Sequence, residues 1–252
     1  MELAVVTYDP RPVLAEFAAR RGITFPLLSD QGSRTIKRYG ILNTTVPETN
    51  PSHGYPFPGT FVLDRAGAVT ARFFEEEYQE RNTISRVLVR LGGRVDATAT
   101  KISAPQLDIT SYATDAAVAP GTRFSLVLDN TPGPKIHVYA PTVKGYKPIA
   151  LNLAAQSGLV LREAHYPAAE EYFFEPLQEH VPVYQRPFRV VQDVMIDPSR
   201  AGQAALVGKT HLTITGILNY QACDDRICYM PQSVPLTWTV ALRPLDRERG
   251  KR

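Results

Sequence analysis

Two cysteines near the C-terminus, Cys223 and Cys228, are the residues best placed by type and spacing to do chemistry, and they are the only two in the chain. Four residues separate them, so a tight turn could bring the thiols within bonding distance. A disulfide needs Cα atoms about 4.4–6.8 Å apart. Paired thiols can cycle between dithiol and disulfide by attack of a thiolate on a mixed disulfide. The spacing therefore indicates redox chemistry as one interpretation.

A structural bridge and a metal site are the other two interpretations of the pair. Closing a six-residue ring adds only ~2 kcal/mol by the chain-entropy estimate, which favours exchange chemistry over a purely structural role. Metal knuckles usually combine two such pairs, whereas this chain has one pair and five scattered histidines. We therefore expect no metal, and the structural bridge stays as the main alternative to redox exchange.

Charged residues between the cysteines could tune their reactivity. Asp224 and Asp225 would disfavour a nearby thiolate, while Arg226 would favour one. The alternative interpretation is that all three only solvate a turn. His137 and Tyr139 could face the pair from a neighbouring strand, although core packing is the more common role for such residues.

Composition excludes several classes of protein. The 252 residues include 28 Lys plus Arg and 25 Asp plus Glu, a net charge of +3, so no concentrated phosphate-binding surface is indicated. No stretch approaches the ~18 apolar residues of a membrane helix. The start of the chain lacks the basic and cleavage regions of a signal peptide. We expect no nucleic-acid partner and no membrane span. The 21 prolines favour turns and short strands over a helical bundle.

The predicted secondary structure follows two different patterns along the chain. Residues 1–95 alternate strand and helix, with strands expected at Leu3–Tyr8, Thr24–Leu28 and Thr60–Asp64. Residues 104–242 contain short strands broken by Pro and Gly with no helical pattern between them, which is typical of a β-sandwich. The strands predicted there are Gln106–Ser111, Arg123–Leu128, Lys135–Tyr139, Ile149–Leu153, Leu159–Glu163, Val183–Ile196, His211–Gln221 and Ser233–Leu242. Residues 243–252 form a charged tail.

The first segment resembles the later part of an AhpC/TSA-type peroxiredoxin. The motifs that carry the resemblance are Leu14–Ala18, Phe25–Asp30, Tyr39–Gly40 and Gly59–Gly67. It implies a thioredoxin-like fold, and Pro58 resembles the cis-proline of that fold, with an ordinary trans loop proline as the alternative. The strand and cysteine-bearing helix that the family places first are missing, so we expect a truncated product, a mis-called start or a degenerate domain. Since no cysteine precedes Cys223, we expect no peroxidase activity, although a peroxiredoxin-type antioxidant protein is an alternative class.

The second segment resembles the N-terminal domain of DsbD-type thiol:disulfide interchange proteins, most clearly over Tyr220–Pro231. Weaker similarities are at Ala119–Gly121, His137–Pro141, His165–Pro167 and Val183–Tyr184. The resemblance implies an immunoglobulin-like fold in which Cys228 bonds to the partner and Cys223 resolves the intermediate. It places an aromatic cap at Phe173 or Phe174. Met230 departs from the family, which usually has a second proline there.

Together the two resemblances predict an α/β plus all-β protein. An incomplete thioredoxin-like domain at residues 1–95 precedes an immunoglobulin-like β-sandwich at residues 104–242. The predicted function is thiol:disulfide exchange with a thioredoxin-like or other thiol/disulfide protein, without a small-molecule cofactor. The alternative is a non-catalytic binding module with a structural disulfide. The resemblance favours an extracytoplasmic location.

Overall fold

A computed structural model describes residues 2–50, 53–74, 80–175 and 178–244. The chain divides into two compact units, before and after residue 78. From residue 245 onward, the predicted charged tail lies outside the residues that the structure describes. Among the described helices, none is both long and apolar enough to span a membrane.

The first unit alternates strands and helices as the sequence predicts. Its elements are β1 (Val5–Thr7), α1 (Arg11–Arg21), β2 (Leu27–Ser29), α2 (Arg34–Arg38), β3 (Gly59–Leu63) and β4 (Val69–Phe74). Strands β1 and β2 are parallel, and β3 and β4 form an antiparallel hairpin. The α1 helix ends at Gly22, whose φ of +63° is easiest for glycine. The peptide bond before Pro58 is trans, so the loop-proline interpretation of that residue is correct.

The second unit consists mainly of short β-strands. In chain order its elements are β5 (Arg81–Asn82), α3 (Ile84–Arg90), β6 (Thr100–Ala104), β7 (Leu107–Ala113), β8 (Ala117–Val118), β9 (Thr122–Pro132), β10 (His137–Tyr139), β11 (Ala150–Leu153), β12 (Leu159–His165), β13 (Glu170–Phe174), β14 (Glu179–Tyr184), β15 (Phe188–Ile196), α4 (Arg200–Leu206), β16 (His211–Tyr220), β17 (Ala222–Cys223) and β18 (Gln232–Leu242).

Two sheets of this unit share one hydrophobic core. One sheet has the order β12-β15-β9-β7-β6, with β5 beside β9, and the other has the order β11-β16-β18-β8. Buried and exposed residues alternate along β16 and β18, so each of these strands buries one face. Phe124 from the first sheet and Ile214 and Val240 from the second are fully buried in the shared core. The architecture confirms the predicted immunoglobulin-like sandwich.

Strand β9 is buried on both faces because α3 covers the outer face of its sheet. Val89 of α3 packs in a cluster with Val127 and Val191 of that sheet. A buried ion pair adds to this contact, since the Arg86 guanidinium lies 2.5 Å from the Asp193 carboxylate. The helix therefore belongs to the second unit, although the sequence placed it at the end of the first segment.

Two details of the predicted strand pattern are wrong. The single strand expected at Val183–Ile196 is two strands, β14 and β15, which lie in different sheets. Pro187 separates them because it has no backbone N–H to continue a ladder. The segment after β15 contains a helix, α4, where only strands were expected. Its first turn is capped by Ser199, whose hydroxyl accepts a 3.0 Å hydrogen bond from the Gly202 N–H.

Candidate functional site

The cysteine pair lies at one side of a third sheet, whose strand order is β13-β14-β10-β17. Cys223 ends β17 and pairs in register with His137 of β10. Cys223 and Cys228 are joined by a disulfide, and they also form an isolated antiparallel bridge across the turn between them. The predicted tight turn is therefore present, and it brings the two sulfurs together.

Asp224 organises this turn. One of its carboxylate oxygens accepts hydrogen bonds of 2.8 Å from the backbone N–H groups of Arg226 and Ile227, and the other accepts a 2.8 Å bond from the Tyr229 hydroxyl. The bonds from Ile227 and Arg226, followed by that from Tyr229, lower the pKa of Asp224. Asp225 and Arg226 are exposed. The Asp224 carboxylate thus holds the turn closed.

Replacing Asp224 with alanine should therefore weaken closure of the disulfide. We expect Asp224→Ala to lower the equilibrium constant for forming the intramolecular disulfide by about 2- to 10-fold, the value of one net hydrogen bond. The measurement is equilibration of the full chain with glutathione and glutathione disulfide at pH 7. Asp225→Ala is the matched control and should leave the constant unchanged. An equal effect of both substitutions would show that the turn does not depend on Asp224.

The two cysteines differ sharply in exposure. Cys223 is only 1% exposed and packs with Tyr139, Val181 and Val183. Cys228 is exposed. Its neighbour Ile227 is 57% exposed. One cysteine of the bond therefore lies at the surface, while the other is enclosed by the protein.

Tyr139 contacts both sulfurs. Its hydroxyl oxygen lies 3.3 Å from Cys223 Sγ and 3.4 Å from Cys228 Sγ. Its ring stacks on Tyr146 at a centroid distance of 4.4 Å. Burial, and then the negative charge that would form on Tyr146 and that of Glu179, raise the pKa of Tyr139, so this hydroxyl stays protonated at neutral pH. The possibility that Tyr139 faces the pair, raised from the sequence, is therefore correct.

His137 is buried beside the pair rather than exposed to solvent. Its side chain is 3% exposed, and its ring lies 4.5 Å from that of Tyr172, centroid to centroid. Burial lowers the pKa of His137 and outweighs the opposite effect of Asp224. The imidazole is therefore neutral at pH 7 and contributes no positive charge that would stabilise a thiolate.

Phe173 and Phe174, the two residues predicted to cap the cysteine pair, have different surroundings from their neighbour Tyr172. Phe173 is 45% exposed and its ring packs on His180, while Phe174 is half-buried at the end of β13. Tyr172 packs against the hydrophobic cluster that contains Cys223. Sequence reasoning singled out neither Tyr172 nor Tyr146. No local pattern marks Tyr146, which follows β10 in an irregular loop.

Metal ligands do not converge in the part of the chain that the structure describes. No group of three or more His, Cys, Asp or Glu side chains is placed there to hold an ion. Pro58 belongs to the first unit, whereas the cysteine pair belongs to the second.

Comparison with protein families gives two matches along the chain. The AhpC/TSA family model matches residues 1–72, and the model of the N-terminal domain of thiol:disulfide interchange protein DsbD matches residues 109–237. No curated protein sequence matches the chain significantly. The family matches and the Cys223–Cys228 disulfide indicate a function related to thiol–disulfide chemistry.

Solved structures with partial similarity include three domains. The N-terminal periplasmic domain of ScsB from Proteus mirabilis matches at 14% identity and a TM-score of 0.39, over 56% of this chain and 51% of that one. The reduced DsbD N-terminal domain from Neisseria meningitidis matches at 16% identity and a TM-score of 0.31, over 46% of this chain and 81% of that one. The fimbrial subunit AggA from Escherichia coli matches at 11% identity and a TM-score of 0.28, over 56% of this chain and 98% of that one. This chain thus spans about half the length of the ScsB domain.

Proposed function

Because the chain belongs to the family of DsbD N-terminal domains, we propose that its cysteine pair exchanges disulfides with a protein partner. The observation that carries this proposal is the unequal exposure of the two cysteines. A bridge that only stabilises the fold has no need of an open sulfur, whereas exchange requires one sulfur that an attacking thiolate can reach.

The exchange begins at Cys228. A partner thiolate attacks Cys228 Sγ, the bond to Cys223 breaks, and its electron pair stays on Cys223 Sγ, which takes up a proton. A second partner thiolate then attacks the partner sulfur of the mixed disulfide and expels Cys228, which also takes up a proton. In sum, the partner dithiol becomes a disulfide and the pair becomes a dithiol. The reverse sequence oxidises the pair.

Exposed apolar side chains beside Cys228 fit a protein partner. Ile227 is 57% exposed and Met230 is 79% exposed, and both flank Cys228 in sequence. Aromatic residues and methionine are enriched at protein interfaces, where apolar contacts around a central group exclude water. The partner that this surface suits is a thioredoxin-like protein, or another protein with an accessible thiol pair.

Exchange under native conditions tests the proposal. A reduced thioredoxin should reduce the disulfide of the folded full chain, and two free thiols should appear per molecule. Low concentrations of dithiothreitol should do the same without denaturant. A bond that resists both reagents until the protein unfolds, or a reduction potential below about −300 mV, would identify a structural bridge instead. An otherwise identical Cys228→Ser chain gives the background signal.

A further inference from the structure

Met230 carries a thioether that no step of the proposed exchange uses. The residue is 79% exposed, whereas Met195 of β15 is 5% exposed. Hydrogen bonds hold the backbone on both sides of Met230. The Tyr229 N–H donates a 2.9 Å bond to the Ala222 carbonyl oxygen, and the Gln232 side-chain amide donates a 2.8 Å bond to the Met230 carbonyl oxygen. The exposed thioether therefore extends from a fixed stretch of the chain.

Met230 and Cys228 lie on the same side of this stretch. Cys228 forms an antiparallel bridge with Cys223, so the chain is extended there, and side chains two residues apart in an extended chain point the same way. The exposures alternate accordingly, since Cys228 and Met230 are exposed while Tyr229 between them is half-buried and packs against the sandwich core. At about 3.4 Å per residue, the two Cα atoms are at most ~7 Å apart. A protein that reaches Cys228 therefore contacts Met230.

A peroxide can oxidise this thioether. The Met230 sulfur attacks one oxygen of hydrogen peroxide, the O–O bond breaks, and a sulfur–oxygen bond forms. The sulfur loses two electrons, and the second peroxide oxygen leaves as water with both hydrogens. In the disulfide form the cysteines hold no thiol, and of the methionines that the structure describes Met230 is the exposed one. The product, methionine sulfoxide, is polar, and methionine sulfoxide reductases can convert it back.

We propose that Met230 is an oxidation site beside the exchange cysteine, and that its sulfoxide slows exchange between Cys228 and protein partners. The thioether is apolar and adaptable, which suits contacts at a protein interface. The sulfoxide oxygen loses its water when a partner covers it, and an unpaired polar group in an interface costs free energy. A small thiol does not cover Met230, so its reaction with the disulfide is unaffected. The inference rests on the proposed exchange function, since it concerns docking at the same cysteine.

Treatment of the disulfide form of the full chain with hydrogen peroxide tests both parts of the inference. Peptide mapping by mass spectrometry should find one added oxygen on Met230 and none on Met195. After the peroxide is removed, we expect reduced thioredoxin to reduce the treated chain about five- to tenfold more slowly than the untreated chain, the effect of one unpaired polar group in the interface. Dithiothreitol should reduce both samples at the same rate.

Two variant chains locate the effect, each compared with its own untreated sample. In Met230→Leu, peroxide treatment should not slow the reaction with thioredoxin, because leucine has no sulfur to oxidise. Val207 is as exposed as Met230, at 79%, but it precedes β16, whereas the turn between the cysteines follows that ten-residue strand. Val207→Met added to the Met230→Leu chain should therefore take up the oxygen without slowing the reaction.

The outcomes separate this inference from the proposed function. The inference is overturned if Met230 stays unmodified under conditions that oxidise Val207→Met, or if thioredoxin reduces the treated and untreated wild-type chains equally fast. Slowing of either variant chain as strong as that of the wild type would also overturn it, because the effect would then arise elsewhere. An untreated chain that neither thioredoxin nor dithiothreitol reduces would instead overturn the proposed function.

Discussion

Replacing Cys223 with serine is expected to leave Cys228 permanently attached to a thiol partner once it has reacted. In Cys223→Ser, the exposed Cys228 thiol attacks glutathione disulfide and keeps one glutathione as a mixed disulfide, because no second thiol is present to expel it. In the reduced wild-type chain, Cys223 attacks Cys228 Sγ and releases the glutathione. Intact mass should therefore show a stable adduct in the variant and an internal disulfide in the wild type.

The opposite substitution supplies the matched control. In Cys228→Ser, the remaining thiol is Cys223, which is 1% exposed and enclosed by Tyr139 and Val183. We expect its reaction with glutathione disulfide to be slower than that of Cys223→Ser by on the order of 100-fold, since access governs thiol exchange. Equal rates for the two single-cysteine chains would contradict the assignment of Cys228 as the partner-bonding residue. Circular dichroism of both variants would confirm that each remains folded.

The second large effect concerns stability and involves a buried carboxylate of strand β15. Asp193 is buried, and its carboxylate accepts bonds from Arg86 at 2.5 Å and from the Ser125 hydroxyl at 2.6 Å. We expect Asp193→Ala to lower the free energy of unfolding by about 3–5 kcal/mol, because it leaves a buried guanidinium without its counter-charge. Urea unfolding of the full chain, with the disulfide intact, measures this loss.

Two further variants test whether the unpaired charge of Arg86 causes the loss of stability in Asp193→Ala. Glu170→Ala removes the exposed ion pair with Arg186 and should cost no more than about 1 kcal/mol. The double substitution Arg86→Met with Asp193→Leu removes both charges together and should cost less than Asp193→Ala alone. A double variant as unstable as Asp193→Ala would mean that lost packing, and not the unpaired charge, explains the effect.

The pH dependence of the same carboxylate follows from its environment. Burial raises the pKa of Asp193, but the hydrogen bond and charge of Arg86 act in the opposite direction. The net effect lowers the pKa of Asp193 below its ordinary value of 3.8. A carboxyl whose folded-state pKa is lowered stabilises the fold above its unfolded-state pKa. This contribution is therefore intact at neutral pH and is lost only as the pH falls below 3.8 through the folded-state pKa.

Most of the local structure could be predicted from the sequence, since it depends on neighbouring residues. The β3–β4 hairpin, the alternation along β18 and the turn between the cysteines all follow from periodicity and turn-forming residues. Helix α3 shows where this approach fails. Its apolar stripe predicts a helix, but the buried Arg86 that joins it to β15 pairs with a residue 107 positions away.

The cysteine spacing by itself determined that a disulfide could form and that thiol chemistry was the leading interpretation. Tertiary structure decided which cysteine is exposed and which hydroxyl touches both sulfurs. The physical reason is distance along the chain. Tyr139 meets Cys223 across 84 positions and Tyr146 meets Glu179 across 33, contacts that arise from strand pairing and loop packing and leave no mark on local sequence.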